Sequence, residues 1–339
     1  MPIRIGKYTL QLNNSPTILG YAAVVGKKES EGPLGKLFDQ CHSDTTLGET
    51  TWEKAESRLQ NEAVNLALFK AGLANTDMDC IFAGDLLNQC ISSTFGLRGL
   101  DIPFLGQYGA CSTMAQTLAI ASIFTESGAV RRAVAVTSSH FCSAERQYRF
   151  PLEYGGQRTP TAQWTATGAG SVIVGTGQPK EGKKITVEAV TIGRITDLGI
   201  KDAANMGAAM APAAAQTLLD YFNDTGASPK DYDLILTGDL GMVGSELMEQ
   251  LLEKEGISIG SVHNDCGLML YDRIKQDVHA GGSGCGCSAS VLCSLILQQL
   301  SQGKLHRVLF MATGALMSPT SSQQGETIPG IAHLVCLKA

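Results

Sequence analysis

The sequence predicts a layered α/β protein that is a tandem duplication of one βαβαβ-type unit. Two repeated blocks predict this fold class. The buried-strand pattern of residues 79–86 returns 154 residues later as residues 233–240, and the block 132–137 returns 175 residues later as 307–312. Similarity at a fixed spacing indicates internal repetition. The order helix, strand, turn, helix, strand within each copy favours stacked layers of helices and mostly parallel sheets over separate all-α or all-β domains.

The two spacings also indicate where the copies divide. The larger offset implies about 21 inserted residues in the second copy, and we divide the chain into an N-terminal half, residues 1–178, and a C-terminal half, residues 179–339. Two related units packed about a pseudo-dyad bring equivalent loops together, so we expect one shared pocket. The loops expected there contain Asp85, Cys111 and residues 137–140 of the first half and Gly238, Gly282 and residues 313–314 of the second.

Local patterns predict the individual elements. In chain order they are a strand at 21–25, a charged loop at 26–33, a helix with capping-box spacing at 50–53 that continues to Gly72, a buried strand at 79–86 and a closing turn at 313–316. Apolar steps of three and four residues are typical of helices, and short apolar runs of strands. Gly84 and Asp85 follow the buried strand where α/β proteins place ligand-binding groups, although an ordinary turn explains the pair equally well.

Cys111 stands just before a long apolar stretch, residues 114–124, that ends near Gly128. The hydroxyls of Ser112 and Thr113 suit a helix N-terminus, and a terminal glycine suits a C-cap. The sequence therefore predicts a cysteine at a helix N-terminus, where free amides and the helix dipole lower the pKa of a thiol and attract anions. A buried structural cysteine is an equally good interpretation, because free cysteines are among the most buried residues.

Composition excludes several classes of function. Of the 339 residues, 44% are hydrophobic and 17% are charged, which is typical of a packed globular protein. The net charge of −6 and the absence of a Lys/Arg run argue against nucleic acid as a partner and against a basic membrane-binding helix. No apolar run approaches the roughly 20 residues of a spanning helix, and residues 1–12 lack a signal-peptide pattern, so we expect a soluble chain that is not secreted.

The ten cysteines are scattered through an apolar sequence, which favours reduced thiols in a cytoplasm-like compartment over a disulfide framework. Cys285 and Cys287 have the wrong spacing for a zinc knuckle, and no matching His/Cys pair lies nearby. We therefore expect neither a metal nor a cofactor.

Longer strings of sequence carry a resemblance to a known family. The duplicated unit, the cysteine at a helix start, the Gly-Gly-Ser-Gly loop at 281–284 and the turn at 313–316 resemble the thiolase and β-ketoacyl synthase superfamily over nearly the whole chain. Within it, the sequence more closely resembles the stage V sporulation protein AD family of spore-forming bacteria. The strings that carry this resemblance are GPLGKLF (32–38), AGDLLNQ (83–89), GACST (109–113), AERQYR (144–149), PLEYGGQ (151–157), MAPAAA (210–215), DCGL (265–268) and AGGSGC (280–285).

The resemblance implies a protein of the forespore or spore that is encoded with membrane proteins and bound peripherally at the inner spore membrane. It also implies binding of dipicolinic acid (pyridine-2,6-dicarboxylate) during uptake of this acid. Dipicolinate chelates calcium, so the calcium chelate is a second form of the expected ligand. Superfamily analogy implies a homodimer formed through the first-half sheet.

A catalytic alternative follows from the superfamily. Its condensing enzymes use a thiolate nucleophile, a second-half histidine and a third group, Asn, His or Cys, that stabilises charge or moves a proton. This sequence keeps Cys111 but has Gly238 and Asp239 where chain-elongating relatives place the histidine, and residues 281–284 where they place Asn or Gly-His-Pro. We therefore predict a retired condensing-enzyme pocket without catalysis. The alternatives are an acyl-thioester transferase or condensing enzyme that uses Cys111, and a docking subunit.

Two further groups bear on the catalytic alternative. His263 is a second-half histidine before the 281–284 loop, but it follows a different segment and suits a satisfied loop residue equally well. Cys285 or Cys287 is a substitute proton carrier in principle, although the surrounding glycines leave neither thiol an evident basic partner.

For the binding hypothesis, the ligand is expected at the amino end of the Cys111 helix. A dicarboxylate needs positive potential and hydrogen-bond donors at both ends, with a flat apolar slot for its ring. Asp85 would repel a carboxylate, so we expect it to orient Lys28 or another donor, or to hold a bridging calcium ion.

Three cations are expected to supply charge to this site: Lys28, His140 and Arg146. Each also suits a structural role, as a solvated loop charge, a packing residue, or an ion-pair partner of Glu145 or Glu153. The complete set of predicted ligand-binding residues is Lys28, Asp85, Asn88, Cys111, Ser112, His140, Arg146 and Gly282.

Overall fold

The fold is described for residues 1–14, 16–148 and 158–339 of a computed structural model. Most strands of this part of the chain belong to one large mixed sheet. The strands are β1 (Ile3–Ile5), β2 (Thr9–Gln11), β3 (Thr17–Val25), β4 (Gln40–Cys41), β5 (Cys80–Gly84), β6 (Phe104–Gly106), β7 (Arg132–Ser139), β8 (Trp164–Thr165), β9 (Gly168–Gly175), β10 (Ile185–Thr191), β11 (Leu234–Thr237), β12 (His263–Asp265), β13 (Gly282–Ser283), β14 (Arg307–Ala315) and β15 (Gly330–Lys338).

The strand order confirms the tandem duplication. The first half runs β3-β9-β7-β5-β6 and the second runs β10-β15-β14-β11-β12, so each places its strands in the order first, fifth, fourth, second, third. Parallel and antiparallel pairs also occur at the same places in both halves. Each half has two of each kind, so the expectation of mostly parallel sheets is wrong. β3 and β10 join the halves through two residue pairs, and the N-terminal hairpin β1-β2 crosses over to pair with β10.

Helices cover the sheet and fill the space between its two halves. They are α1 (Lys27–Ser30), α2 (Trp52–Ala71), α3 (Ile91–Leu97), α4 (Thr113–Ser127), α5 (Phe141–Tyr148), α6 (Met206–Thr225), α7 (Gly241–Lys254), α8 (Cys266–Met269), α9 (Cys285–Val291), α10 (Leu297–Ser301) and α11 (Pro319–Gln323). α4 contacts β5, β7 and β9 of the first half, β14 and β15 of the second, and α9. The helix that Cys111 precedes therefore lies between the halves, which explains why its sequence is apolar on every face.

Equivalent capping contacts recur at the predicted spacing. α2 and α6 each end at a glycine in the left-handed conformation, Gly72 and Gly226. Asp79 Oδ2 accepts hydrogen bonds from the amides of Arg131 and Arg132 at 2.6 and 3.1 Å. Asp233 Oδ2 accepts from the amides of His306 and Arg307 at 2.6 and 2.9 Å. The repeated aspartates therefore tie the same pair of strands together in each half.

Most predicted elements are confirmed, with three corrections. The predicted loop 26–33 contains the short helix α1, and the predicted turn at 313–316 begins inside β14 because strand pairing with β15 continues to Ala315. The cap of α2 is Thr51, whose hydroxyl accepts from the Lys54 amide, so the capping-box partner expected from the 50–53 spacing is not used.

Candidate functional site

A narrow cavity at Cys111 lies between the two halves, as predicted. Its volume is about 30 Å³. The cavity is therefore a slot rather than an open chamber. First-half lining residues are Leu86, Tyr108, Ala110, Cys111, Ala144, Tyr148 and Thr165, and second-half lining residues are Met206, Ser283, Ala315 and Met317.

The turn that carries Cys111 is held from both sides. Ala110 has a φ of 49°, a left-handed conformation that costs free energy in a residue with a Cβ. Strand β14 of the second half packs directly on this turn at Gly314, where a Cβ would lie 2.4 Å from the Gly109 carbonyl oxygen. Only glycine allows this close approach. The position of Cys111 is thus fixed by a contact between the halves.

Ser112 and Thr113 do not cap the helix through their side chains, contrary to the prediction. Ser112 Oγ donates to the Gly109 carbonyl at 2.6 Å, and Thr113 Oγ1 donates to the Ala110 carbonyl at 2.6 Å. Both hydroxyls point back into the preceding turn and are fully buried. They stabilise the left-handed turn and do not line the cavity.

Asp239 is the main functional residue that reasoning from the sequence missed. The repeat places Asp239 at the position equivalent to Asp85. The sequence marked it only as part of the segment where chain-elongating relatives of the superfamily have a histidine. Its Oδ1 accepts from Thr313 Oγ1 at 2.9 Å, and its Oδ2 accepts from Ser283 Oγ at 3.1 Å and the Gly284 amide at 2.9 Å. The Cys111 thiol is close enough to this carboxylate that each group shifts the pKa of the other. Asp239 therefore links the second half to the cysteine of the first.

The Cys111 thiol is held in its protonated form. Its side chain is 6% exposed, and burial, followed by the charge of Asp239, raises the pKa of the thiol well above its ordinary value. Burial raises the pKa of Asp239 itself to about 6, with hydrogen bonds from Cys111 and the Gly284 amide acting in the opposite direction. The prediction of a lowered thiol pKa is wrong, because desolvation and a facing carboxylate outweigh the helix N-terminus.

Asp85 does not orient Lys28 or hold a bridging ion, which corrects the prediction. It is fully buried, and its oxygens accept from the Leu87 amide at 2.9 Å, the Ser93 amide at 2.8 Å and Ser93 Oγ at 2.6 Å. These bonds fix the loop from β5 to α3. Asp85 does not line the cavity, although Leu86, the next residue, does.

His140 is a neutral packing residue and supplies no charge. Nε2 lies 2.7 Å from the Thr45 carbonyl, and Nδ1 accepts from the Cys142 amide at 3.1 Å, so the single ring proton is on Nε2. Burial lowers the pKa of this imidazole. His263, the second-half histidine, is occupied as well: Nδ1 contacts Glu249 at 2.7 Å and Nε2 contacts Thr237 at 3.0 Å.

Arg146 and Asn88 lie at a second groove rather than at the Cys111 cavity. Arg146 pairs with Glu53 and stacks over Trp52, and the Asn88 amide donates to Gln147 Oε1 at 2.9 Å. α5 separates the two spaces, since Ala144 and Tyr148 face the cavity while Ser143, Arg146 and Gln147 line the groove. Glu153, a pairing partner considered for Arg146, lies outside the described residues, as does part of the 144–149 string and all of 151–157.

Lys28 lies beside the cavity without lining it. Its ammonium is 3.8 Å from the centre of the Trp164 ring, and Thr165, the next residue along β8, lines the cavity. Gly282 belongs to β13 and pairs with Trp164 in a two-residue parallel ribbon. This ribbon of β8 and β13 therefore stands between Lys28 and Cys111.

Metal binding and membrane insertion are the remaining expectations. No group of three or more His, Cys, Asp or Glu side chains within residues 1–14, 16–148 and 158–339 is arranged to hold a metal ion. In the same residues, every helix is too short or too polar to cross a lipid bilayer.

Comparison with known proteins places the chain in a family. Residues 6–338 match the family model "Stage V sporulation protein AD (SpoVAD)". The chain is 47% identical to stage V sporulation protein AD of Bacillus subtilis (strain 168) over 328 residues, which cover 97% of this chain and 96% of that protein.

Solved structures agree on the fold. The chain is similar to 3-oxoacyl-[acyl-carrier-protein] synthase III of Aquifex aeolicus, with a TM-score of 0.58, 14% identity and coverage of 96% of this chain and 100% of that one. It is also similar to cerulenin-bound OleA of Xanthomonas campestris, with a TM-score of 0.60, 13% identity and coverage of 96% and 99%. At such low identity these likenesses show the fold alone. The chain therefore belongs to the stage V sporulation protein AD family, sporulation proteins with a thiolase-like fold.

Proposed function

We propose that the chain is a non-catalytic binding protein of the spore whose pocket is a retired condensing-enzyme site. The observation that carries this proposal is the buried Asp239 carboxylate, which Thr313, Ser283 and the Gly284 amide hold close enough to the Cys111 thiol to raise its pKa. Thioester chemistry needs a thiolate and a nearby base that accepts protons. Here the group that faces the cysteine is an anion, which opposes thiolate formation.

The proposed ligand is dipicolinic acid, free or as its calcium chelate, and the proposed role is to aid its uptake into the developing spore. The family resemblance supports this ligand, and the apolar lining of the slot between the halves suits a pyridine ring once the slot widens to admit it. Asp239 beneath Cys111 would repel a carboxylate, so the ring enters with its carboxylates towards the mouth of the slot. Because the Asp85 carboxylate accepts three hydrogen bonds in its own loop, we propose that calcium arrives with the acid.

Calorimetric titration with pyridine-2,6-dicarboxylate tests this proposal. Ala144 is 2% exposed and lines the slot, so Ala144→Leu fills the space that the ring needs. We expect this variant to lose at least about tenfold in affinity, since steric exclusion costs more than about 1.4 kcal/mol. Ala129→Leu makes the same change at an exposed position and should bind as the wild type does. Equal binding by both variants would place the ligand elsewhere.

Intact-mass measurement tests the absence of catalysis. After incubation with acetyl- or acetoacetyl-coenzyme A, we expect no stable adduct on Cys111 and no turnover of either thioester. Each missing catalytic group is worth about a hundredfold or more in rate, so the loss of two leaves little to detect. Turnover that disappears in Cys111→Ala would establish the transferase alternative instead. Absence of any ligand-induced thermal shift would favour a docking subunit.

We also propose a homodimer formed at the free edge of β6. All three residues of this strand are exposed, including Phe104 at 37% and Leu105 at 47%, and within the described chain it pairs with β5 alone. Exposed apolar edge strands invite pairing with another chain. In sedimentation equilibrium, Leu105→Lys should yield monomer, whereas Phe69→Lys, at a 78% exposed position on α2, should leave the dimer intact. A monomeric wild type would refute the proposal.

Attachment to the inner spore membrane is proposed to occur through membrane proteins encoded with the chain. The chain lacks a basic amphipathic pattern of the kind that binds anionic lipid directly. The purified chain should therefore remain in the supernatant with protein-free anionic liposomes. Tight co-sedimentation would contradict this route.

A further inference from the structure

Two cations share one face of Trp164. Phe141 stacks on this indole with ring centres 3.9 Å apart and planes 10° apart, so it covers one face. The Lys28 ammonium lies 3.8 Å from the ring centre and the Arg158 guanidinium carbon lies 4.8 Å from it. Both positive groups therefore lie over the remaining face. Cation–π attraction favours each contact singly, but the two like charges repel one another.

The negative charge around this pair does not balance it. Arg158 donates to the Asp277 carbonyl, and its Nη2 lies 3.5 Å from the Asp277 carboxylate, which is 82% exposed and therefore well screened. Glu29, the neighbour of Lys28, is fully buried; burial raises the pKa of its carboxyl, which Tyr271 contacts with a hydrogen bond. Glu31 also acts on Lys28, but it is 58% exposed and lies 4.0 Å from the Lys27 ammonium. The two cations therefore face only exposed, screened carboxylates.

Both cations have unused donors. Arg158 Nη1 is buried and has no hydrogen-bond partner within the described residues. The Lys28 ammonium makes no ion pair with any carboxylate of the described chain, while burial and the Arg158 charge lower its pKa. A buried guanidinium nitrogen without an acceptor is costly, and a bound anion removes that cost.

We propose that Lys28 and Arg158, held over the open face of Trp164, form an anion-binding site that takes one carboxylate of an aromatic acid. The guanidinium supplies the directional donor and the ammonium supplies charge. The site is on the β8-β13 ribbon that borders the Cys111 cavity, on the Lys28 side. The choice of an aromatic acid as the occupant rests on the proposed function. The anion site itself rests only on the contacts of Lys28, Arg158 and Trp164.

Fluorescence of Trp164 reports on the site directly. The chain contains two tryptophans, so Trp52→Phe leaves Trp164 as the single indole. In that background, iodide should quench Trp164 more strongly than neutral acrylamide does at equal concentration, because the cations concentrate anions locally. Arg158→Gln and Lys28→Gln should each lower iodide quenching about twofold or more and leave acrylamide quenching unchanged. Lys27→Gln is the control, because it removes the same charge one residue away, where the side chain pairs with Glu31 at 4.0 Å. It should change neither iodide quenching nor acrylamide quenching.

A second titration identifies the occupant. Pyridine-2,6-dicarboxylate and benzoate should change the Trp164 signal, and neutral benzamide should not. Arg158→Gln should weaken both acids about tenfold or more, as expected for one charge-assisted contact. Iodide quenching equal in all variants overturns the anion site. Unaltered dicarboxylate affinity in Arg158→Gln overturns the inference and leaves the proposed function standing. Charge-dependent iodide quenching without any dicarboxylate binding upholds the anion site and overturns the proposed function.

Discussion

Helices α2 and α6 occupy equivalent places in the two halves but bury opposite kinds of side chain. Both have 20 residues and end at a left-handed glycine. α2 buries Glu56 and Gln60 against its sheet, whereas α6 has Met210 and Ala214 at the positions 154 residues later. A duplicated backbone therefore supports either a polar or an apolar interior, provided that the polar groups find partners.

The buried polar groups of the first half form a directed chain of hydrogen bonds. Gln60 Nε2 donates to Ser138 Oγ at 3.1 Å, and Ser138 Oγ donates to Glu56 Oε1 at 3.1 Å. Ser143 Oγ lies 2.7 Å from Glu56 Oε2 and 3.0 Å from the His140 carbonyl. The Ser143 hydroxyl has one proton and can donate it to only one of these two oxygens. If Ser143 donates to the His140 carbonyl, its contact with Glu56 requires a protonated Glu56 carboxyl that donates to Ser143. Burial, and then the charge of Asp85, raise the pKa of Glu56, which favours the protonated carboxyl.

Asp85 and Asp239 show the same contrast at the ends of equivalent strands. Asp85 binds amides of its own loop, and in the second half that task passes to Asp265, which accepts from the Leu240 and Gly241 amides at 2.9 and 3.0 Å. Asp239 is thereby released to bind Thr313, Ser283 and Cys111. One sequence motif thus acquires two roles because β12 ends at a third aspartate, Asp265, whereas the equivalent strand β6 ends at Gly106.

The largest predicted effect is the loss of either aspartate. Asp85→Ala and Asp239→Ala each leave three or more buried donors without an acceptor, so each should lower the free energy of unfolding by about 3 kcal/mol or more in urea denaturation. The comparison is sharpened by alkylation of Cys111, located by mass mapping. Asp239→Asn should speed alkylation about tenfold for each unit by which the thiol pKa falls, and Asp85→Asn should leave the rate unchanged. Equal rates in the two variants would refute the role of Asp239.

The contact between β14 and the Cys111 turn gives the next largest effect. Gly314→Ala places a methyl group 2.4 Å from the Gly109 carbonyl oxygen, and this overpacking should cost about 1–3 kcal/mol in the free energy of unfolding. At Gly99 a Cβ would have no other atom within 4 Å, so Gly99→Ala serves as the control and should not destabilise. A stable Gly314→Ala protein would show that the two halves do not clamp this turn.

The pH dependence of stability distinguishes the polar interior of the first half from the apolar interior of the second. The folded pKa of Glu56 is raised above its value of 4.5 in the unfolded chain, so the folded state binds the extra proton and stability falls as pH rises through that interval. Above the pKa of Glu56 in the folded state, this loss of stability no longer grows with pH. Glu56→Gln keeps the shape and removes this loss, which should raise the free energy of unfolding at pH 8 by more than about 1.4 kcal/mol relative to wild type, the equivalent of one pKa unit.

The control for this measurement is the exposed residue Glu246, whose change to Gln should leave the pH profile as it is in the wild type. Urea denaturation between pH 5 and 8 supplies both profiles, with Asp85, Asp239 and Asp265 contributing to the remaining slope because burial raises their pKa values as well. Identical slopes for Glu56→Gln and wild type would mean that Glu56 is ionised in the folded protein.

The smallest effect is expected at the groove outside α5. Arg146 is 50% exposed and its partner Glu53 is 25% exposed, so this ion pair is screened by solvent. Arg146→Ala should lower the free energy of unfolding by less than about 1 kcal/mol, and a double-mutant cycle with Glu53→Ala should give a coupling energy of the same size. A cost above about 2 kcal/mol would show that the groove contributes to the core of the first half.

The sequence by itself determined the duplication, the order of strands and helices, and the place of Cys111 before a buried helix. Those features follow from local patterns, since strand runs, helix periodicity and terminal glycines act over a few residues and recur at constant spacing. The family resemblance rested on long strings of sequence, and the match of residues 6–338 to the family model confirms it.

Only the tertiary structure decided the chemical state of the site. Cys111 is protonated because of its burial and then because of the charge of Asp239, and Lys28 faces Trp164 and Arg158. Each of these partners is more than 100 positions away in the chain. Local propensity favoured an activated thiol at a helix N-terminus, but desolvation and the facing carboxylate outweigh it. Packing between the two halves decides which polar groups come into contact. Hydrogen bonds and charge effects between residues so far apart in the chain leave no periodic pattern in the sequence.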